Sequence, residues 1–267
     1  MSFNIEVEGG TSVRLPTAGK YCDRDIVVTA TGGGGGPEEE WFNDGNTHLW
    51  IHLKDGKLKP NLGIGVNGTV TVDWGDGTTP AVLTGTNEGT TKWAPDHEYT
   101  SAGDYVITLT VDGTARLMGT SDGAYICTYR WDTSEVVYYT ASLRKVEIGN
   151  GVTIDGNNAF YKCHYLTSVI MPEGLDTISQ YAFGYCYSLP SVVIPGSVTT
   201  IKSNAFSNCY GVRYYDFSKH TTVPTLAATN AFGSTNLACE IRVPAALYDE
   251  WIAATNWATY KNRIVAV

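Results

Sequence analysis

Charge is what this sequence has least of. Asp, Glu, Lys and Arg make up 17% of its 267 residues, against a usual share of about 25%. The balance is 27 acidic to 18 basic, a net charge of −9. Nucleic-acid binders carry a basic footprint, so nucleic acid is excluded as a partner. No run approaches the ~20 apolar residues of a spanning helix, so no membrane insertion is expected. The N-terminus lacks a basic stretch followed by an apolar one, so no secretory signal peptide is visible. The C-terminal RIVAV has no cysteine for prenylation. There is no CxxC pair, Walker A loop, dinucleotide-binding glycine pattern or carboxylate pair suited to acid–base work. The sequence therefore offers no enzyme, no cofactor, no metal and no catalytic residue.

In place of charge stand 29 Gly, 17 Tyr and many Thr, Ser and Val, a β-rich and turn-rich composition. Hydrophobic residues at 43% suffice for a packed core. Residues 1–31 alternate apolar and polar around Gly9-Gly10 and read as a small N-terminal β-module. Residues 32–40, with five consecutive glycines from Gly32 to Gly36, read as a Gly-rich linker. Residues 41–113 form a third stretch, 114–142 a connecting or N-terminal cap segment, and 143–267 a repeat region.

In the third stretch Thr47, Leu49, Ile51 and Leu53 share one strand face, and His48, Trp50 and His52 the other. Val66, Val70 and Val72 precede the turn Trp74-Gly75-Asp76-Gly77, and Tyr105-Val-Ile-Thr-Leu-Thr-Val111 follows. The segment TVDWGDGTTP, with His97, Tyr99, Gly103, Tyr105, Ile107 and Leu109 after it, resembles a PKD (polycystic kidney disease) domain. That resemblance implies an immunoglobulin-like β-sandwich.

The repeat is the strongest signal. Leu143, Leu166, Leu189 and Val212 are spaced by 23 residues. Three positions on stand Val146, Val169, Val192 and Tyr215; five on stand Ile148, Met171, Ile194 and Phe217. Ala159-Phe160, Ala182-Phe183 and Ala205-Phe206 recur, followed by Cys163, Cys186 and Cys209, and a drifted Ala231-Phe232 ends the series. Each unit predicts a short strand, stopped by Pro172 or Pro195, and a turn whose Phe enters the core. One unit cannot bury its own apolar face, so the units must stack. The pattern A-F-x-x-C-x-x-L-x-x-V-x-I-P resembles the BspA-type, or Treponema pallidum-type, leucine-rich repeat. VPAALYDEWIAATNW predicts a capping helix, with Pro244 in its first turn and Leu247, Trp251 and Ala254 on one stripe. The expected fold is thus mainly β: a small module, an Ig-like sandwich, and a repeat solenoid with a C-terminal capping helix.

Gly119-Thr-Ser121-Asp-Gly123 matches a nucleophile elbow, but the helix that motif needs is missing after it. His48 and His52 lack the Glu of a zinc-protease helix and read as a solvated strand face. Asp73 and Asp76 suit turn stabilisation, with calcium as the alternative. The three repeated cysteines read as buried thiols rather than a disulfide framework. Around them cluster Tyr161, His164, Tyr165, Tyr185, Tyr187 and Tyr210. These rings are either a strip that binds sugar or protein, or edge packing that only steadies the stack.

The expected function is non-enzymatic recognition, with a cell-surface protein or glycan as partner. One form is a phage tail-associated host-binding protein, joined to other virion proteins through residues 1–31. EGGTSVRLPTAGKYCDRDIVVTA is similar to short modules of phage tail proteins, and virion proteins need no signal peptide. The alternative is a bacterial surface adhesin, which the BspA-type resemblance implies. The expected location is accordingly the virion, or the cell surface and exterior. Residues 143–267 are expected to bind alone, and residues 1–113 not.

Overall fold

Strand alternation beginning at Thr47 is realised as an antiparallel sheet. In a computed structural model the residues described are 41–53, 60, 62–93, 97–119, 143–154 and 156–267, without the side chains of 90–93. The module 1–31, the linker 32–40, Ser121, Cys22 and Cys127 lie outside the described residues. Phe42–Val267 form one compact unit. β1 (Thr47–Leu53), β2 (Gly63–Asp73), β3 (Ala81–Trp93) and β4 (Gly103–Leu117) pair antiparallel in the order β3-β2-β4-β1. Leu49, Ile51, Val66, Val70, Val72, Ile107 and Leu109 are buried on the inward face.

The second edge of β1 decides the architecture. It pairs antiparallel with β5 (Leu143–Glu147), the first repeat strand, in a register that sets His48 opposite Glu147. β6 (Val152–Thr153) pairs parallel with β4 at Ala115 and Arg116. Both strands of the first coil are thereby hydrogen-bonded into the antiparallel sheet. A β-sandwich needs two packed sheets. The described residues of 41–117 supply one, and the repeat region extends it.

The Trp74–Gly77 turn is held from inside. Trp74 is buried and stacks on His97 at 4.5 Å, and the Tyr99 hydroxyl donates to the Trp74 carbonyl at 2.8 Å. A side chain on Gly75, at φ +75°, would meet the Val106 carbonyl oxygen at 2.3 Å. Asp73 accepts from the Gly75 N–H, and Asp76 from Thr78 and from His97 Nε2 at 2.8 Å. These carboxylates are turn braces.

That bracing is acid-sensitive. Burial alone would raise Asp76, but hydrogen bonds from Thr78 and His97 outweigh it and hold the carboxyl below its ordinary value. His48 and the Asn46 N–H hold the more exposed Asp44 at about 2, against an ordinary 3.8. Both groups have lower pKa values folded than unfolded. Their contribution is therefore complete above the unfolded pKa and lost as pH falls toward the folded one, from about 4 to about 2. The thermal midpoint should drop across that window, and less steeply in Asp44→Asn/Asp76→Asn. Equal slopes for the two proteins would contradict the assignment.

The repeats stack as coils. β7 (Ser168–Ile170) continues the first sheet beside β5. β9 (Ser191–Val193), β11 (Tyr214–Asp216), β13 (Glu240–Val243) and β14 (Ile264–Ala266) form a parallel sheet. β8 (Thr177–Ile178), β10 (Thr200–Ile201) and β12 (Thr225–Leu226) form a second, on another side of the coil. The Ala-Phe turns make a ladder of their own: Phe160 N–H donates to Ala182 O, Phe183 N–H to Ala205 O, and Phe206 N–H to Ala231 O, at 2.7–2.8 Å. Side-chain hydroxyls bridge neighbouring coils as well. Ser179 donates to Ile154 O and Gly156 O, Ser188 to His164 O, and Ser197 to Leu175 O. Some of the small hydroxyl residues that displaced charge from the sequence therefore link coil to coil.

The end of the solenoid is closed by a shorter helix than the sequence predicts. A 3-10 turn at Ala245–Leu247 leads into α1 (Tyr248–Ala253). Extended Ala254 and left-handed Asn256 break it before a second 3-10 turn at Trp257–Tyr260. Trp251 and Trp257 are fully buried and meet Phe217 edge-on, and Trp257 Nε1 donates to Pro224 O at 2.7 Å.

His48 is not on a solvated face. It is 2% exposed, with Phe42 stacked on it at 4.1 Å, Asp44 on Nε2 and Thr108 on Nδ1. Glu147 beside it accepts the N–H groups of Phe42 and Asn43, which folds residues 42–46 over the strand. His52 sits further along that face, against Asp104 at 2.7 Å.

Candidate functional site

Two ring ladders rise from the Ala-Phe turns, one inside and one outside. Inside, Phe160, Phe183, Phe206 and Phe232 stack at 5.2, 5.4 and 5.5 Å, with the last two pairs within 4° of parallel. All four are buried. The spacing follows the strand separation of about 4.8 Å. This ladder is core.

Beside it the thiols of Cys163, Cys186 and Cys209 are buried and outside any disulfide. Cys186 Sγ donates to Phe160 O at 3.2 Å, and Cys209 Sγ to Phe183 O at 3.0 Å. Burial pushes the Cys186 thiol well above its usual range and Cys209 to about 12. They are inert hydrogen-bonding fillers. Cys239 does not continue the column. The last step lengthens from 23 to 26 residues, and Thr235 takes the cysteine place, its hydroxyl donating to Phe232 O at 2.9 Å.

Outside, His164 stacks on Tyr187 at 4.6 Å and Tyr187 on Tyr210 at 5.6 Å, with interplanar angles of 15° and 23°. Tyr187 and Tyr210 are 38% and 54% exposed. Burial and then Lys162 lower the His164 pKa, which favours the neutral ring. The column ends at Asn236, so Tyr210 is its last ring. Tyr185 meets Tyr187 edge-on at 6.1 Å and Tyr161 at 5.2 Å. Five of the six rings singled out by sequence thus form one patch. Tyr165 stands apart from it, with the Arg144 guanidinium over its ring at 5.0 Å.

A further ring belongs to the patch. Tyr181 meets Tyr161 at 5.3 Å, nearly perpendicular. A side chain on Gly184 would touch the rings of both Tyr161 and Tyr181 at 3.1 Å, so the missing Cβ lets them converge. Tyr181 and Tyr185 also share a backbone peculiarity, with φ of +56° and +65°. Their columns are left-handed in neighbouring coils too, but Asn158, Asn204, Lys162 and Asn208 stand there. Asn tolerates this conformation, whereas a bulky ring does not, at a cost of about 1–3 kcal/mol each.

The charge pattern around the patch is distinct from that of the chain. Residues 156–166, 179–189, 202–212 and 228–238, which carry the Ala-Phe turns, include no Asp or Glu, while Lys162 and Lys202 are present. Tyr, Asn, Ser and Gly dominate them. Among the described residues no group of three or more His, Cys, Asp or Glu is placed to hold a metal.

A stack of short parallel strands with an inner Phe ladder defines a repeat solenoid. In comparison with protein-family models, residues 133–249 match the BspA type leucine rich repeat region in six copies. A search of the curated proteins finds no match.

Proposed function

We propose that the chain is a surface-recognition protein of the adhesin kind, and that the tyrosine patch on the Ala-Phe turns contacts a protein partner. A leucine-rich repeat region is typically a non-enzymatic binding module, which supports the adhesin form over a phage tail role. The PKD-like character of residues 41–113 remains part of this proposal, supported by the Trp74–His97–Tyr99 turn.

The observation that favours protein over glycan is how the rings are spent. His164, Tyr187 and Tyr210 lie face to face, which covers both faces of Tyr187 and the inner face of each end ring. Sugars are held best against open ring faces. Rigid Tyr edges among Ser, Gly and Asn are instead the composition of protein-binding paratopes. The absence of carboxylates on these turns suits a neutral or acidic partner surface.

The test uses the full chain as bait for a displayed random-peptide library and, separately, a glycan array. Selected peptides that compete with one another for a single site, with no glycan retained, are the expected result. Glycan binding that is lost in Tyr187→Ala would transfer the patch to sugars and overturn the assignment.

A further inference from the structure

We infer that Tyr181 and Tyr185 are the specificity-determining residues of the patch, kept there against the interest of the fold. This rests on the proposed recognition role and adds to it which rings set the choice of partner. Three observations converge. Both residues occupy left-handed backbone positions, φ +56° and +65°, where adjacent coils carry Asn or Lys. Bulky side chains rarely adopt that conformation, because Cβ crowds the following carbonyl. The same two residues, from a single coil, bring their rings onto Tyr161 at 5.3 and 5.2 Å, and Gly184 leaves room for that approach. Neither ring is buried, so filling the core does not explain them. Strain kept at half-buried surface positions, outside the core, marks positions held by function.

The neighbouring coils supply the control substitution. Asn fits the left-handed position, and its short side chain cannot reach Tyr161 as a ring does. Tyr181→Asn and Tyr185→Asn remove the rings and relieve the backbone together. The loss of half-buried edge contacts with Tyr161 is smaller than the strain released, so the fold should gain. A ring that merely steadied the stack would show the opposite sign.

The experiment measures thermal midpoint and peptide affinity on the full chain. The probe is a peptide selected from the random library on the wild-type protein. Each Asn variant should raise the midpoint by about 2–4 °C and weaken peptide binding about tenfold or more. A midpoint that falls, or affinity unchanged in both variants, would overturn the inference. Tyr187→Ala/Tyr210→Ala is measured in parallel. Binding lost there but kept in both Asn variants defeats the inference and leaves the recognition role standing. Binding kept in all of them defeats the recognition role itself.

Discussion

Phe183→Ala should cost about 3–5 kcal/mol, the range for emptying a buried aromatic site. Phe183 is fully buried in the middle of the inner ladder, stacked on Phe160 and on Phe206. Its backbone N–H and C=O are also engaged, with Ala205 O and with the Cys209 thiol. Those bonds tie the following coil, and Phe160 N–H to Ala182 O ties the preceding one, so neither can close on the void. For a unit of this size the midpoint should fall on the order of 10 °C. Thermal unfolding followed by circular dichroism measures it. Phe183→Leu, which keeps most of the apolar volume, should lose about half as much or less. A loss near zero for the alanine variant would mean that the ladder is not the core of the solenoid.

Residues 143–267 produced alone should not fold to a soluble, cooperative unit. The sequence leads to the opposite expectation, that this segment binds by itself. The difference comes from the shared sheet. β5 is paired to β1 and β6 to β4, and Gly149 N–H donates to the Thr47 hydroxyl. Removing the antiparallel strands strips both edges of the first coil. It also exposes Val146, Ile148 and Ile154, which are at most 2% accessible. A bare strand edge beside apolar surface is an aggregation site, and solenoids need their ends covered. Size-exclusion chromatography and thermal unfolding of this fragment give the answer. A monomer with a sharp transition would show that the antiparallel sheet is a separate domain and not a cap.

The repeat was the most legible part of the fold, because one 23-residue period fixes strand, turn and core columns together. Its columns placed Phe183 and Cys186 inside and Tyr187 and Tyr210 outside. Where the period drifts, legibility drops: the 26-residue step moves Cys239 out of the cysteine column and ends the tyrosine column at Asn236. Tyr181 was missed because its column does not repeat in residue type. The signal available was Asn158 and Asn204 at the same position, since Asn favours left-handed turns. Pairing between β1 and β5 was invisible for a different reason. Alternation specifies a strand, but not which distant strand takes its edge. His48 looked solvated on the same account, because its cover comes from residues 42–46, held down by Glu147 about a hundred positions away. The helix over residues 243–257 was overestimated because its apolar stripe gives no warning of the break at Asn256.

Binding by Tyr187→Ala/Tyr210→Ala in the full chain, read beside its thermal midpoint, tests the central claim most directly. Both side chains are exposed, so the midpoint should move little. Affinity for peptides selected on the wild-type protein should fall at least tenfold, as when paired aromatic anchors leave an interface. Unchanged affinity with a lowered midpoint would make the outer ladder a brace of the stack and not a recognition surface.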